Sequence, residues 1–209
     1  QITVNEQVLI PRADSETLVR EVLAFLQSTT HCDLPKRVLE LGTGSGALSC
    51  AIAHELPAVL CHASDASEAA LAVAQYNAQH LKLNNIQFYL GKWHDWFAPY
   101  RAAPFAHQFA VIFSNPPYLA DDDPHLPDLQ HEPRTALCSG VTGLEALVAI
   151  IADAPLFLGT HGGLLLEHGC TQANAVQALL HKRGFVQIQT IADLAGRARV
   201  TRGVWSGTP

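Results

Sequence analysis

Glu40-Leu41-Gly42-Thr43-Gly44-Ser45-Gly46 follows the apolar run Val38-Leu39 and precedes Ala47 to His54, a stretch of small helix-compatible residues. This order reads as a strand, a glycine turn and a helix. Glycines at such a junction permit a tight turn and let a ligand approach the main chain. The helix that follows presents free N–H groups and a partial positive charge to the same place. Asp65 stands nineteen residues after Gly46, at the end of a second strand spanning 59–65. A carboxylate there can accept hydrogen bonds from both hydroxyls of a ribose. Together these features describe a site for a nucleoside-containing cofactor. Gly42 to Ala47 also satisfies G-x-G-x-x-A, so a nicotinamide-dependent dehydrogenase stays open at this point. Glu40, just before the turn, suits a cationic amino group better than a pyrophosphate. S-adenosyl-L-methionine carries such an ammonium and a sulfonium.

Working outward, strands are expected at 86–90, 109–114 and 163–167, and a final pair at 185–191 and 200–205. Helices are expected at 67–81, capped by Ser67, and at 144–152 and 171–182. Strands alternating with helices imply an α/β fold with a doubly wound, mostly parallel sheet. The last two strands have no helix between them, so they should close the sheet as an antiparallel pair. Toward the N-terminus, Ile2-Thr3-Val4 and Gln7-Val8-Leu9 flank Asn5-Glu6 and read as a small β-hairpin. Asp14 or Ser15 is placed to cap a linking helix through Leu18, Val19, Val22 and Leu26. Residues 1–30 are thus assigned to the hairpin and linking helix, and 31–209 to the main domain.

The 209 residues are 48% hydrophobic and 15% charged, a composition that builds a packed core. Thirteen basic against nineteen acidic side chains leave a net charge of −6, which disfavours unaided binding to a phosphate backbone. No apolar run approaches the length of a membrane span. Five cysteines, irregularly spaced and without a C-x-x-C pair, suggest reduced thiols in a cytoplasmic protein rather than a disulfide framework or zinc site. Asp121-Asp122-Asp123 reads as a solvated loop, and no metal site is expected. With Gln1 first and no methionine anywhere, the chain reads as a piece of a longer protein.

Ser114-Asn115-Pro116-Pro117-Tyr118 follows the fourth strand, at the carboxyl edge of the sheet where open α/β folds bind ligands. Two successive prolines hold the backbone extended and donate no hydrogen bonds. The Asn115 side-chain oxygen and the Pro116 carbonyl are then paired acceptors, suited to the two hydrogens of an –NH2 group. Tyr118 offers an aromatic wall for a planar amide or base.

The acidic glycine turn, the acid closing the second strand and N-P-P-Y together resemble class I methyltransferases that act on planar nitrogens. Within that group the chain resembles the release factor glutamine methyltransferases over nearly its whole length. The likeness includes Leu9-Ile10-Pro11-Arg12 with Asp14, Glu16 and Thr17, then Asn77-Ala78, Glu132-Pro133 with Ala136-Leu137, Leu164 to Gly169, and Arg199-Val200-Thr201. The resemblance implies a Rossmann-like domain over 31–209 and methyl transfer from S-adenosylmethionine to the side-chain N5 of the glutamine in a release factor's Gly-Gly-Gln motif. It implies catalysis and substrate binding by Asn115, Pro116, Pro117 and Tyr118. Cofactor binding falls to Glu40, Gly42, Thr43, Gly44, Ser45, Gly46, Asp65 and Asn115. A tryptophan beside the adenine is also implied; ungapped counting from Asn77-Ala78 lands on Trp93, with Trp96 the alternative. The family also has an N-terminal helical domain, and this chain begins about where it ends, so retained cofactor binding with weakened release-factor recognition is expected. Methylation of a ribosomal-protein glutamine, methylation of adenine N6 in nucleic acid, the dehydrogenase, and a non-catalytic cofactor-binding module remain the rival readings. Arg12 is expected to touch substrate or pair with Glu16, and Glu132 to lie near the mouth of the site.

Overall fold

The computed structural model describes residues 1–28, 37–92, 95–101 and 105–207. A 3-10 turn, Ala13–Ser15, leads into α1 (Glu16–Ser28), followed by β1 (Arg37–Leu41), α2 (Ala47–Glu55), β2 (Leu60–Asp65), α3 (Glu68–His80), β3 (Ile86–Leu90) and β4 (Phe109–Ser114). The second half carries the short α4 (Arg134–Leu137), α5 (Glu145–Asp153), β5 (Leu158–Glu167), α6 (Ala173–Arg183), β6 (Phe185–Ala192) and β7 (Ala198–Trp205). Local chemistry sets several of these limits. Ser67 accepts a hydrogen bond from the Ala70 N–H at 3.2 Å and starts α3, as expected. Gly184, at φ 100°, ends α6 in the left-handed conformation.

The seven strands form one sheet in the order β3-β2-β1-β4-β5-β7-β6. The first five pair in parallel, and β7 runs antiparallel between β5 and β6. The central strands are buried on both faces, so successive side chains feed opposite cores. Val38, Val111, Phe113 and Leu165 pack with Leu18, Val22, Phe25 and Leu26 of α1 and Ile52 of α2. Leu39, Leu41, Ile112, Leu164 and Leu166 pack with Leu147 and Ile150 of α5 and Leu180 of α6. The chain leaves β1 toward β2 on one side, while β4 lies on the other, so a crevice opens at the carboxyl ends of β1 and β4. The glycine turn and the N-P-P-Y segment leave the sheet at those two ends.

The N-terminal hairpin is not formed. Residues 1–10 hold no paired strand. The segment lies instead as a strap over α3, where the Asn77 side chain replaces the missing strand partner. It accepts from the Thr3 N–H at 2.8 Å and donates to the Thr3 carbonyl at 2.9 Å. Val8, 2% exposed, packs on Ala70 and Val73. Burial against a finished helix outweighs pairing two three-residue strands, which are marginal alone. Asp14 and Ser15 lie within the 3-10 turn and face β7 and Asn115 rather than capping α1. Among the described residues no helix is long and apolar enough to cross a membrane.

Candidate active site

The glycine turn is drawn tight across the ends of β1 and β2. The Gly42 and Thr43 N–H groups both donate to the Ser64 carbonyl, at 2.8 and 2.9 Å. Gly46 has φ 77°, and a Cβ there would lie 2.9 Å from the Ala74 Cβ and 3.1 Å from its Cα. The close approach of α3 to the turn therefore demands glycine. Asn77 fastens the turn as well, donating to the Ser45 carbonyl at 2.9 Å.

Two acids frame the turn. Glu40 is 1% exposed, and its Oε2 accepts from the Thr43 hydroxyl (2.7 Å), the Ser49 N–H (3.2 Å) and the Ser49 hydroxyl. Burial pushes its carboxyl up to about 7, against the lowering effect of those donors. Asp65 accepts from the Gly44 N–H on Oδ2 and the Ser67 N–H on Oδ1, each at 2.9 Å, and burial raises its carboxyl as well. Each oxygen keeps a lone pair for a further donor.

A cavity of about 270 Å³ opens over this turn. Its walls include Glu40, Gly42 to Ser45, Asp65, Val8 and Leu9 of the strap, Trp96, Asn115 and Pro117. A Cβ on Gly44 would meet nothing within 4 Å, so the turn faces open space there. Two carboxylates beside that space match a cationic nucleoside and oppose a pyrophosphate. The residues present fit S-adenosylmethionine.

Asn115 is half-buried after β4, with its Nδ2 donating to the Ser15 hydroxyl at 3.1 Å. Among the described residues neither the Asn115 Oδ1 nor the Pro116 carbonyl takes a hydrogen bond. The elbow is braced from behind: Gln172 donates to the Tyr118 carbonyl at 3.0 Å and to the Gly143 carbonyl at 3.2 Å. Pro116 is buried, and neither it nor Tyr118 lines the cavity. The Tyr118 ring is half-buried, where burial raises its hydroxyl and Glu167, Arg199, Asp14 and Arg12 act on it electrostatically. Trp93 lies outside the described residues. Trp96 lines the cavity, its ring 3.2 Å from the position of a Cβ on Gly42.

Charges around the elbow are arranged in ways the motifs did not reveal. Arg12 pairs with Glu132, not with Glu16, and the Ile10 N–H donates to the other Glu132 oxygen at 3.1 Å. This pins the strap across the cavity mouth. Arg199, 8% exposed, bridges Asp14 at 3.0 Å and Asp193 at 3.3 Å. Glu167, the last residue of β5, is 1% exposed beside Ser15 and Asn115. An acid ending a buried strand at the carboxyl edge was the signal that marked Asp65, and applied to β5 it would have found Glu167. Asp123 spends its carboxylate on the main chain and ring of His125.

A family model described as "Methyltransferase small domain" matches residues 19–131. The release factor glutamine methyltransferase of Xylella fastidiosa strain Temecula1 is 45% identical over 204 residues, covering 97% of this chain and 70% of that protein. The chain belongs to the release factor glutamine methyltransferase family. Its counterpart in Escherichia coli K12 is 41% identical over 202 residues, covering 96% of this chain and 69% of that one. Among solved structures, the release-factor-specific protein-(glutamine-N5) methyltransferase of Alicyclobacillus acidocaldarius is 28% identical, with a TM-score of 0.56 over 98% of this chain and 99% of that one. Family membership removes the dehydrogenase reading and agrees with the two carboxylates at the turn. In this family member the β1 and β4 loops meet at one cavity, while the strap and Trp96 close its sides.

Proposed function

We infer that this chain transfers the methyl group of S-adenosylmethionine to the side-chain amide nitrogen of a release-factor glutamine, that of the Gly-Gly-Gln motif. The observation that carries the reading is Asn115, which lines the cavity with its Oδ1 unengaged and is followed by a Pro116 carbonyl that also takes no hydrogen bond among the described residues. The cofactor supplies a methyl group bonded to a positively charged sulfur. Gly42 to Ser45 would hold its methionine side, Glu40 its ammonium and Asp65 its ribose, while Gly46, which does not line the cavity, lets α3 approach the turn. Trp96 lines the cavity, and Trp93 stands three residues before it; either of them would give the adenine an aromatic face.

An amide nitrogen is a poor nucleophile because its lone pair is delocalised into the carbonyl. Taking both amide hydrogens on two fixed acceptors aims the nitrogen and holds the carboxamide plane. Those acceptors gain strength as the nitrogen acquires positive charge, so they favour the transition state over the ground state. The proton can leave after transfer, and no strong base is required. The net charge of −6 weighs against nucleic acid as the substrate. The free thiols Cys50, Cys61, Cys138 and Cys170 support a reducing, cytoplasmic setting.

Incubating the protein with S-adenosylmethionine and an intact release factor, then mapping peptides by mass spectrometry, tests the reading. One methyl on the Gly-Gly-Gln peptide is expected, and a methyl elsewhere or on nucleic acid alone refutes it. Asn115→Ala should lower kcat roughly 100- to 1,000-fold, as loss of a group aimed at developing charge does.

A further inference from the structure

Asn115 can serve as an acceptor only if its oxygen, not its nitrogen, faces the substrate. An asparagine amide is nearly symmetric in shape, so something behind it must choose the end. Two groups stand there. The Ser15 hydroxyl, on a residue 4% exposed, accepts from Asn115 Nδ2 at 3.1 Å. Behind it is the Glu167 carboxyl, which both Ser15 and Asn115 stabilise in its charged form. Its buried Oε2 has no hydrogen-bond partner among the described residues.

We propose that Glu167 is a positioning residue that sets the amide orientation of Asn115, directly and through Ser15. An ionised carboxylate only accepts. It therefore takes the Ser15 proton, which leaves the Ser15 oxygen free to accept. Asn115 must then present its N–H to Ser15, and its Oδ1 is turned to the cavity. Protonating Glu167 removes the constraint. The carboxylic acid can donate to Ser15, the Ser15 proton can swing to Asn115 Oδ1, and the amide can turn its NH2 toward a substrate NH2, where neither can accept.

The surroundings hold Glu167 close to that choice. Burial drives it up to about 7, Asp14 on the 3-10 turn pushes the same way, and Arg199 on β7 opposes both. Tyr118, after β4, also faces the carboxyl and feels its charge. The adjacent His168 is engaged elsewhere, with its ring on the Thr201 hydroxyl at 2.7 Å and the Gly169 carbonyl at 2.9 Å. Burial and Arg199 lower its titration, which separates it from a transition near 7.

This inference rests on the glutamine-methylating reading, and its test separates the two. The Asn115 side-chain 15N–1H pair of the wild-type protein is followed by NMR from about pH 5.5 to 8.5. It should titrate near 7, and the step should vanish in Glu167→Gln, whose carboxamide keeps the shape but can donate or accept. The same variant should lose about tenfold to a hundredfold in kcat, as misplacement of a reacting group does. Its KM for the release factor and its affinity for S-adenosylhomocysteine should stay within about twofold, and the acid limb of its kcat profile should flatten. A wild-type Asn115 signal flat across that range overturns the proposal without any variant. So does a step that survives in Glu167→Gln. A wild-type protein that leaves release factors unmethylated while Asn115 titrates overturns the substrate reading and leaves the positioning role standing.

Discussion

The Glu40 carboxyl makes cofactor affinity depend on pH. Its carboxyl is lifted from an ordinary 4.5 to about 7, with burial the largest cause. Below that value it is neutral and has no charge to offer an ammonium. Above it the carboxylate is formed, and a cation binding beside it favours the ionised state further. Affinity for S-adenosylhomocysteine, which keeps the ammonium, should therefore rise as pH increases from about 6 to 8. Glu40→Gln should bind more weakly at pH 8 and lose most of that rise. Calorimetric titration at three pH values checks both statements, and a wild-type affinity indifferent to pH contradicts them. Legibility at this scale followed chemistry that is local in the chain. Glu40, Gly44, Asp65 and Asn115 could be read because each sits where a strand ends, and strand ends are local patterns. Ser15 and Arg199 could not, because their roles depend on partners 100 and 185 residues distant, Asn115 and Asp14.

At the scale of elements, the strap is the feature with the most to test. It contributes Glu6 to Leu9, Pro11 and Arg12 to the cavity wall, yet it has no ladder of its own. Asn77 ties it at Thr3 and ties the glycine turn at Ser45 through the same buried amide. Asn77→Ala removes three hydrogen bonds and leaves main-chain groups unpaired, at a cost of about 2 kcal/mol. Amide exchange at Gln7 and Val8 should accelerate, and affinity for S-adenosylhomocysteine should fall, since wall and turn lose a common fastening. Faster exchange with unchanged affinity would show that the strap covers the cavity without contributing to binding. The sheet was legible because each strand is an apolar run bounded by turns. The strap was not, since its alternation of apolar and polar residues fits a hairpin and a docked extended segment equally. The position of β7 between β5 and β6 is a similar case: antiparallel pairing follows from the missing helix, but insertion depends on Gly163 to Glu167 accepting Val200 to Val204 as partners. β5 also starts earlier than the run at Gly163 implies, at Leu158. The exposed Thr160 and His161, the latter at φ 63°, interrupt its register with β4.

For the molecule as a whole, buried titratable groups oppose one another across the sheet. Glu40 and Glu167 are raised to about 7, so the folded state binds more protons than the unfolded chain between about 4.5 and 7. Stability from these two is full below their unfolded values and is lost as pH rises through 7. His62 runs the other way. It is 2% exposed on β2, stacked on Tyr89 with centroids 5.4 Å apart and edged by Tyr100, Phe105 and Phe109. Neither ring nitrogen has a hydrogen-bond partner among the described residues. Burial, helped by the Arg37 charge, lowers its titration from 6.5 to about 4. A depressed base is neutral in the fold while the unfolded chain takes up a proton, so its contribution is full above 6.5 and drains away as pH falls toward 4. At pH 5 this drain amounts to about 2 kcal/mol, and at pH 8 it is nil. In the aromatic cage, His62→Phe removes both the proton linkage and the two unpaired nitrogens. Urea denaturation should find the variant more stable than wild type at pH 8, and its advantage larger by about 2 kcal/mol at pH 5. An advantage equal at the two pH values would mean that His62 is protonated within the fold, and that the cage tolerates an imidazolium against its rings.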